Sequence, residues 1–216
     1  MTYRDVNIAL ANEFAVFCQK KGVDAVETIN AANTNPHSRI LYPGAGVGGH
    51  CTPVYPYFLI EKAKDLGVEL TLPREAREIN DDMPAYTVGL LKETLGGLAG
   101  KRILILGLAY RAGVKETRFA PSILIARKLK DAGAIIFMHD PLFSEKELED
   151  YGKPVRLKNP PKLDGVILAT AHKEYLKLDA AKLKEAEVKA FVDGRNILDK
   201  KRFETLGIRY RGIGRN

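Results

Sequence analysis

The chain has 216 residues, 45% of them hydrophobic and 28% charged, with a formal net charge of +7 at neutral pH. That length and apolar content support a substantial core in one large or two small domains, and no run approaches the roughly 18 apolar residues that a membrane span requires. The start, MTYRDVNIAL, has neither a basic n-region nor an unbroken apolar stretch, so the expected compartment is the cytoplasm. Cys18 and Cys51 are too few for a disulfide framework and lack metal-ligand spacing, so no metal site is expected. The positive charge would attract nucleic acid, an acidic membrane surface or an anionic small substrate equally well. No recognition motif or aromatic stacking set accompanies it, so nucleic acid and membrane are not expected as partners.

In chain order, Val6, Leu10, Phe14, Phe17 and Cys18 recur at spacings of three and four, which predicts a helix from Tyr3 to Lys21 ended by Gly22. This stripe is expected to be its buried face, with Cys18 in the core. A second helix is predicted from Asp24 as N-cap, with Glu27 as the capping-box partner. After a glycine-rich stretch, YPYFLIEKAKDLG reads as a helix ended by Gly67. REAREINDDMPAYTVGLLKETL reads as a long helix that Pro84 must kink or split. Ile79, Val88, Leu91 and Leu95 give it more apolar surface than a thin helical layer can bury, which predicts a homodimer.

GGLAG, residues 96 to 100, marks a hinge or boundary, and strands then alternate with helices. KRILILG, AIIFMHD, DGVILAT, KAFVD and IRYRGIG are predicted strands, and PSILIARKLKDAG is a predicted helix. Short apolar runs separated by helices indicate a parallel, doubly wound sheet. Ligands of such sheets sit beyond the carboxyl ends of the strands, which nominates Gly107 to Arg118, Asp140, Ala171 to His172, and Gly194 to Asn196.

GAGVGGHC, residues 44 to 51, is the most informative stretch. A dinucleotide loop needs its glycines directly after a buried strand, and ILYPG is a poor strand because Pro43 interrupts it. Four glycines instead suggest backbone that closes on a ligand or adopts positive φ, bringing Cys51 to the start of the following helix. A cysteine so placed has its thiolate favoured by unpaired amides, and a protonated His50 would add to this. A buried, inert cysteine after a flexible turn fits the same spacing equally well.

RDVNIALANEF, PGAGVGGHCTP, NDDMP, ILGLAYRAGVKETRFAPS, ILATAHKEY and FVDGRNILD, in this order, closely resemble the central and C-terminal domains of UDP-sugar 6-dehydrogenases. The GVGGHC form resembles the branch that oxidises UDP-N-acetylmannosamine or another UDP-N-acetylhexosamine. The resemblance covers essentially the whole chain. It implies an α/β fold, with a helical dimerisation region and cysteine loop over residues 1–96 and a Rossmann-like, parallel-sheet UDP-binding domain over residues 97–216. It also implies a four-electron oxidation of a sugar CH₂OH to a carboxylate with two NAD reduced. Cys51 would trap the aldehyde as a thiohemiacetal that becomes a thioester and is hydrolysed.

On the same resemblance, Gly48 and Gly49 let the backbone close on substrate, and Tyr42 with Pro43 lies along the nucleotide. Arg39 reaches across a dimer interface to the substrate, Arg111 and Arg195 stand on the substrate side, and Arg118 lies near the nicotinamide cofactor. Asn196 leaves the assignment of Arg195 open by one residue. Asp140 and His172 fit a capping role as well as a ligand contact.

Three departures qualify the resemblance. No complete dinucleotide-binding unit is present, since the G-x-G-x-x-G spacing of GAGVGG follows no buried strand. The family's lysine and asparagine that hold the reacting oxygen would fall at or before position 1. Tyr55 stands where relatives have an aspartate four residues after the cysteine, and a tyrosine is a poor substitute for a carboxylate that manages the attacking water. The expected protein is thus the dimerising, UDP-sugar-binding part of a nucleotide-sugar dehydrogenase, truncated and inactive alone, with a separate NAD-binding chain as one further partner. A non-enzymatic UDP-sugar-binding scaffold of the same descent is the alternative.

Overall fold

The computed structural model describes residues 1–215. Four helices come first: α1 (Thr2–Lys21), α2 (Ala25–Ala32), α3 (Tyr55–Asp65) and α4 (Thr71–Leu95). Their ends follow the local chemistry. Gly22 and Gly96 take left-handed φ of 78° and 71° to close α1 and α4. The Asp24 carboxylate accepts the Val26 and Glu27 amides to open α2.

Six parallel strands follow, β1 (Arg102–Leu106), β2 (Ile135–His139), β3 (Lys153–Pro154), β4 (Gly165–Leu168), β5 (Ala190–Asp193) and β6 (Arg209–Gly212), in the order β3-β2-β1-β4-β5-β6. The sheet is doubly wound as the apolar runs predict, and its order reverses between β1 and β4. α5 (Pro121–Asp131) crosses from β1 to β2. Three short helices, α6 (Glu145–Leu148), α7 (Ala180–Glu185) and α8 (Lys201–Glu204), complete the layers. β3 escaped sequence reading because two residues, one of them proline at the sheet edge, carry no periodicity. Ile103, Leu104, Ile105 and Leu106 are fully buried, each contributing about 1.5–3 kcal/mol of transfer free energy.

Two expectations need correction and a third is narrowed. Of the kink or split expected at Pro84, the split does not occur: α4 is continuous, starts before Pro73, and buries Pro84 itself, so tertiary packing outweighs one lost backbone bond. Nor is the large apolar stripe of α1 its inner face. Leu10, Phe14 and Phe17 are exposed, whereas Asp5, Ala9, Asn12, Ala15, Cys18 and Gln19 are buried, with Asp5, Asn12 and Gln19 bonded to side chains of α4. Small side chains let the two helices approach closely, which a count of bulky apolar residues misses. Val88 and Leu91, offered as surplus apolar surface, are buried in a core shared with Ile103, Ile105 and Val192 of the sheet.

The chain end ties the halves together further. The Gly214 carbonyl accepts the Ala25 amide, and Arg215 pairs with Asp24 at 2.7 Å.

Candidate active site

Beyond the carboxyl ends of β1 and β5, the glycine loop, α1 and two sheet loops enclose a cleft of about 360 Å³. Its walls bring together Tyr42, Gly48, Gly49, Cys51, Arg111 and Arg195, residues scattered over more than 150 positions of sequence. Arg39 and Arg118 are exposed and do not line it. The Arg39 carbonyl accepts from Asn7, and the Arg118 guanidinium lies 4.7 Å from the Phe119 ring centroid.

The loop is shaped by contacts that leave no room for side chains. A Cβ on Gly48 would stand 2.7 Å from the Phe119 carbonyl oxygen, and one on Gly49, where φ is 101°, would stand 2.8 Å from the Tyr110 ring. The Gly49 amide donates to the Arg118 carbonyl at 2.8 Å, and the Ala45 amide to that of Gly194 at 2.9 Å. Cys51 then enters the turn that starts α3, its carbonyl accepting the Tyr55 amide at 2.9 Å. Cys51 is partly exposed while Cys18 is buried.

The neighbours of the thiol differ from the simple expectation. His50 turns to Glu116, with Nε2 and Oε2 3.3 Å apart, and this bond together with the Arg118 and Thr117 amides holds the Glu116 carboxyl below its usual range. The Tyr55 hydroxyl lies beside Cys51, whose side chain pushes the phenol above its ordinary 10.0. At neutral pH it is therefore protonated and not a base.

Two carboxylates aim the arginines. Asp193, at the end of β5, accepts the Arg195, Ile197 and Leu198 amides and the Tyr210 hydroxyl, fixing the turn that presents Arg195. Asn196 is instead stitched to both backbone groups of Ile213, and of the two only Arg195 lines the cleft. Crowding by protein lowers the Arg195 pKa and Asp193 opposes it. The side chain is nonetheless open to the cleft and an arginine, so it remains charged.

Asp140 accepts the Leu108 and Ala109 amides and lies 3.1 Å from His172 Nε2. The Gly113 amide donates to His172 Nδ1 at 3.4 Å, which puts the imidazole proton on Nε2. Asp140 and His172 thus hold the loop carrying Arg111, and both are buried away from the cleft. Sequence reasoning missed Arg4 and Ile8, one helical turn apart on α1, while Tyr110 falls within the nominated loop from Gly107 to Arg118 without being singled out there.

Among the described residues, no cluster of three or more His, Cys, Asp or Glu could hold a metal ion, and no helix is long and apolar enough to cross a membrane.

A doubly wound parallel sheet with a cleft lined by arginines beyond its strand ends defines an α/β protein of the class that binds ligands at that end. Residues 1–82 match the central domain of the UDP-glucose/GDP-mannose dehydrogenase family, and residues 104–200 match the UDP binding domain of the same family. The chain belongs to that family. It is 38% identical to the UDP-N-acetyl-D-mannosamine dehydrogenase of Pyrococcus horikoshii, over 99% of this chain and 50% of that protein. With the enzyme of the same name from Methanocaldococcus jannaschii it shares 35% identity, over 99% of this chain and 49% of the relative. Among solved structures, the Pyrococcus horikoshii UDP-D-ManNAc dehydrogenase superposes with a TM-score of 0.86 at 36% identity, covering 99% of this chain and 50% of that one. A UDP-glucose dehydrogenase from Pyrobaculum islandicum gives 0.86 at 30%, covering 100% and 49%. The chain thus spans about half the length of the relatives it matches.

Proposed function

We propose that these 216 residues are the sugar-nucleotide-holding part of a UDP-N-acetylhexosamine 6-dehydrogenase, with UDP-N-acetyl-D-mannosamine as substrate. The observation that carries this reading is the convergence of Cys51, Arg111 and Arg195 on one cleft at the end of the parallel sheet. Arg111 and Arg195 bind pyrophosphate or sugar oxygens by charge-assisted bonds, Tyr42 lies along the nucleotide, and Gly48 and Gly49 admit the sugar. The Cys51 sulfur adds to the C6 aldehyde produced by a first hydride transfer. The thiohemiacetal loses a second hydride to give a thioester, and water releases the carboxylate and restores the thiol.

Members of the family are generally NAD-dependent. The sheet described here does not fit that cofactor. The stretch after β1, GLAYRAG, runs on for fourteen residues before α5 instead of opening a helix at once, and Ser122 in the first turn of α5 is bonded to the Leu108 carbonyl. No step is therefore assigned to NAD on this sheet. The hydride acceptor belongs to an NAD-binding unit, in the same polypeptide or a separate chain, with Arg118 facing the nicotinamide side. Residues 1–96 act as the dimerisation and cysteine-loop region and residues 97–216 as the UDP-sugar-binding domain. Tyr55 beside Cys51 favours a second reading, a UDP-sugar-binding scaffold without turnover, because a protonated phenol does not activate the water that cleaves a thioester.

Calorimetry with UDP, UDP-N-acetyl-D-mannosamine and NAD tests the assignment. Both uridine ligands are expected to bind and NAD to bind weakly or not at all, with no NADH absorbance from the 216-residue polypeptide. Tighter binding of NAD than of UDP would put the wrong ligand on the sheet.

A further inference from the structure

Beneath the glycine loop runs a buried polar chain that the reaction itself does not use. Asp5, Asn12, Arg77 and Asn80 are each at most 1% exposed. Arg77 donates to Asp5 Oδ1 at 2.6 Å and pairs at its other terminal nitrogen with Asp81. Asn80 Nδ2 donates to the Asp5 carbonyl at 3.0 Å and to its Oδ1 at 2.9 Å. Both are acceptors toward this amide, so the NH₂ of Asn80 must face Asp5 and its Oδ1 must face the other way. There it meets Asn12 Nδ2 at 2.9 Å. The Asn12 amide is therefore oriented as well, and its Oδ1 accepts the Gly44 amide at 3.0 Å.

We propose that Asn12 is a positioning residue for the cleft, its amide oriented by Asp5 through Asn80 so that it fixes Gly44 and, with it, the entry of the cysteine loop. Gly44 is where this matters most. A Cβ there would lie 2.8 Å from Arg195 Nη1, so the backbone at this point forms the wall along which Arg195 reaches the ligand. From Gly44 the loop has little slack. Ala45 is bonded to Gly194, Gly46 is wedged between Pro84 and Pro121, and Gly49 is bonded to Arg118. An error introduced at Gly44 is passed both to Arg195 and along the loop to Cys51.

The ligand-binding part of the test rests on the proposed UDP site, whereas the backbone and thiol parts do not. In the unsubstituted protein the Gly44 amide should exchange slowly with deuterium, and Cys51 should react with iodoacetamide faster than buried Cys18. Asn12→Leu preserves approximate shape but removes both bonds. It is expected to speed Gly44 exchange at least tenfold, erase the Cys51 preference and weaken UDP about tenfold. Leu91→Ala, in the same helical layer but outside the relay, serves as the control for lost stability. It should lower the melting temperature yet keep the UDP affinity and the labelling preference of the folded fraction.

The proposal is overturned if Asn12→Leu binds UDP and labels like the parent, or if Leu91→Ala loses as much of both. Should Asn12→Leu not fold, fast Gly44 exchange in the unsubstituted protein overturns it directly. If the parent protein does not bind UDP at all, the functional reading fails, while exchange and labelling still decide the relay.

Discussion

Arg195 reaches the cleft past Gly44, which has no side chain, and two glycines of the loop make opposite predictions because their neighbours differ. At Gly44 a Cβ would meet the far end of a flexible arginine, 2.8 Å from Nη1, which can swing aside, and the Gly194 carbonyl oxygen at 3.3 Å, which needs to give only slightly. Gly44→Ala should therefore fold normally but bind UDP about tenfold more weakly, or ~1.4 kcal/mol. At Gly48 the same atom would meet the Phe119 carbonyl oxygen at 2.7 Å and Tyr110 Cβ at 2.9 Å, neither of which can move alone. Gly48→Ala should cost about 1–3 kcal/mol of stability as overpacking does. Calorimetric titration and thermal unfolding of both variants check the contrast, and equal effects on binding and melting at the two positions would contradict it. Cleft positions were legible where a short motif marks them: Cys51 after four glycines, Arg195 after a strand-ending aspartate. Roles were not legible where they depend on a neighbour distant in sequence. Nothing around Asn12 announces Gly44, and nothing around His50 announces Glu116.

At the scale of elements, β2 ends in two titratable groups whose environments both penalise acid. Burial pushes the His139 imidazole below its ordinary 6.5, against the opposing pull of Asp140. For Asp140, burial pushes upward, but the His172 bond and the Ala109 and Leu142 amides outweigh it and leave the carboxyl below 3.8. In both cases the unfolded chain takes up the proton at the higher pH, so the stability they contribute is complete above the unfolded value and is lost as pH falls toward the folded one. The melting temperature should decline in two stages, first below about pH 6.5 through His139 and again below about 3.8 through Asp140. His139→Asn, whose side-chain NH₂ can still donate to the Tyr175 hydroxyl, should flatten the first stage only. A parent protein whose melting temperature does not change between pH 7 and 5 would rule out this account of His139. The strands themselves were readable because runs such as ILIL and VILA are apolar on both faces and lie between helices. α1 was readable as a helix but not in its facing, because its packed stripe of alanines, amides and one carboxylate is the less hydrophobic one.

For the whole molecule, the strand alternation predicted a parallel doubly wound sheet, and the order β3-β2-β1-β4-β5-β6 is one. What the sequence does not encode locally is how the helical layer lies on it, since that depends on which side of α1 meets α4. The resulting arrangement leaves an apolar face on α1 without a cover: Phe17 is 67% exposed, Leu10 40% and Phe14 37%. An uncovered face of this kind on a helix is a candidate contact between copies of the chain. The surplus thus lies on α1 and not on Val88 and Leu91, which the sheet already covers. We expect the protein to sediment as a dimer at micromolar concentration and Phe17→Asp to convert it to a monomer. Arg39 makes the consequence for function measurable. It is exposed and does not line the cleft of its own chain, so we expect it to reach the ligand of the partner subunit across the interface. Arg39→Ala should then weaken UDP-sugar binding in the dimer, Phe17→Asp should weaken it by a similar factor, and the double variant should be no weaker than either, because both remove the same contact. Additive losses would mean that Arg39 acts within its own subunit, and a monomeric parent protein would remove the dimer and the shared site together.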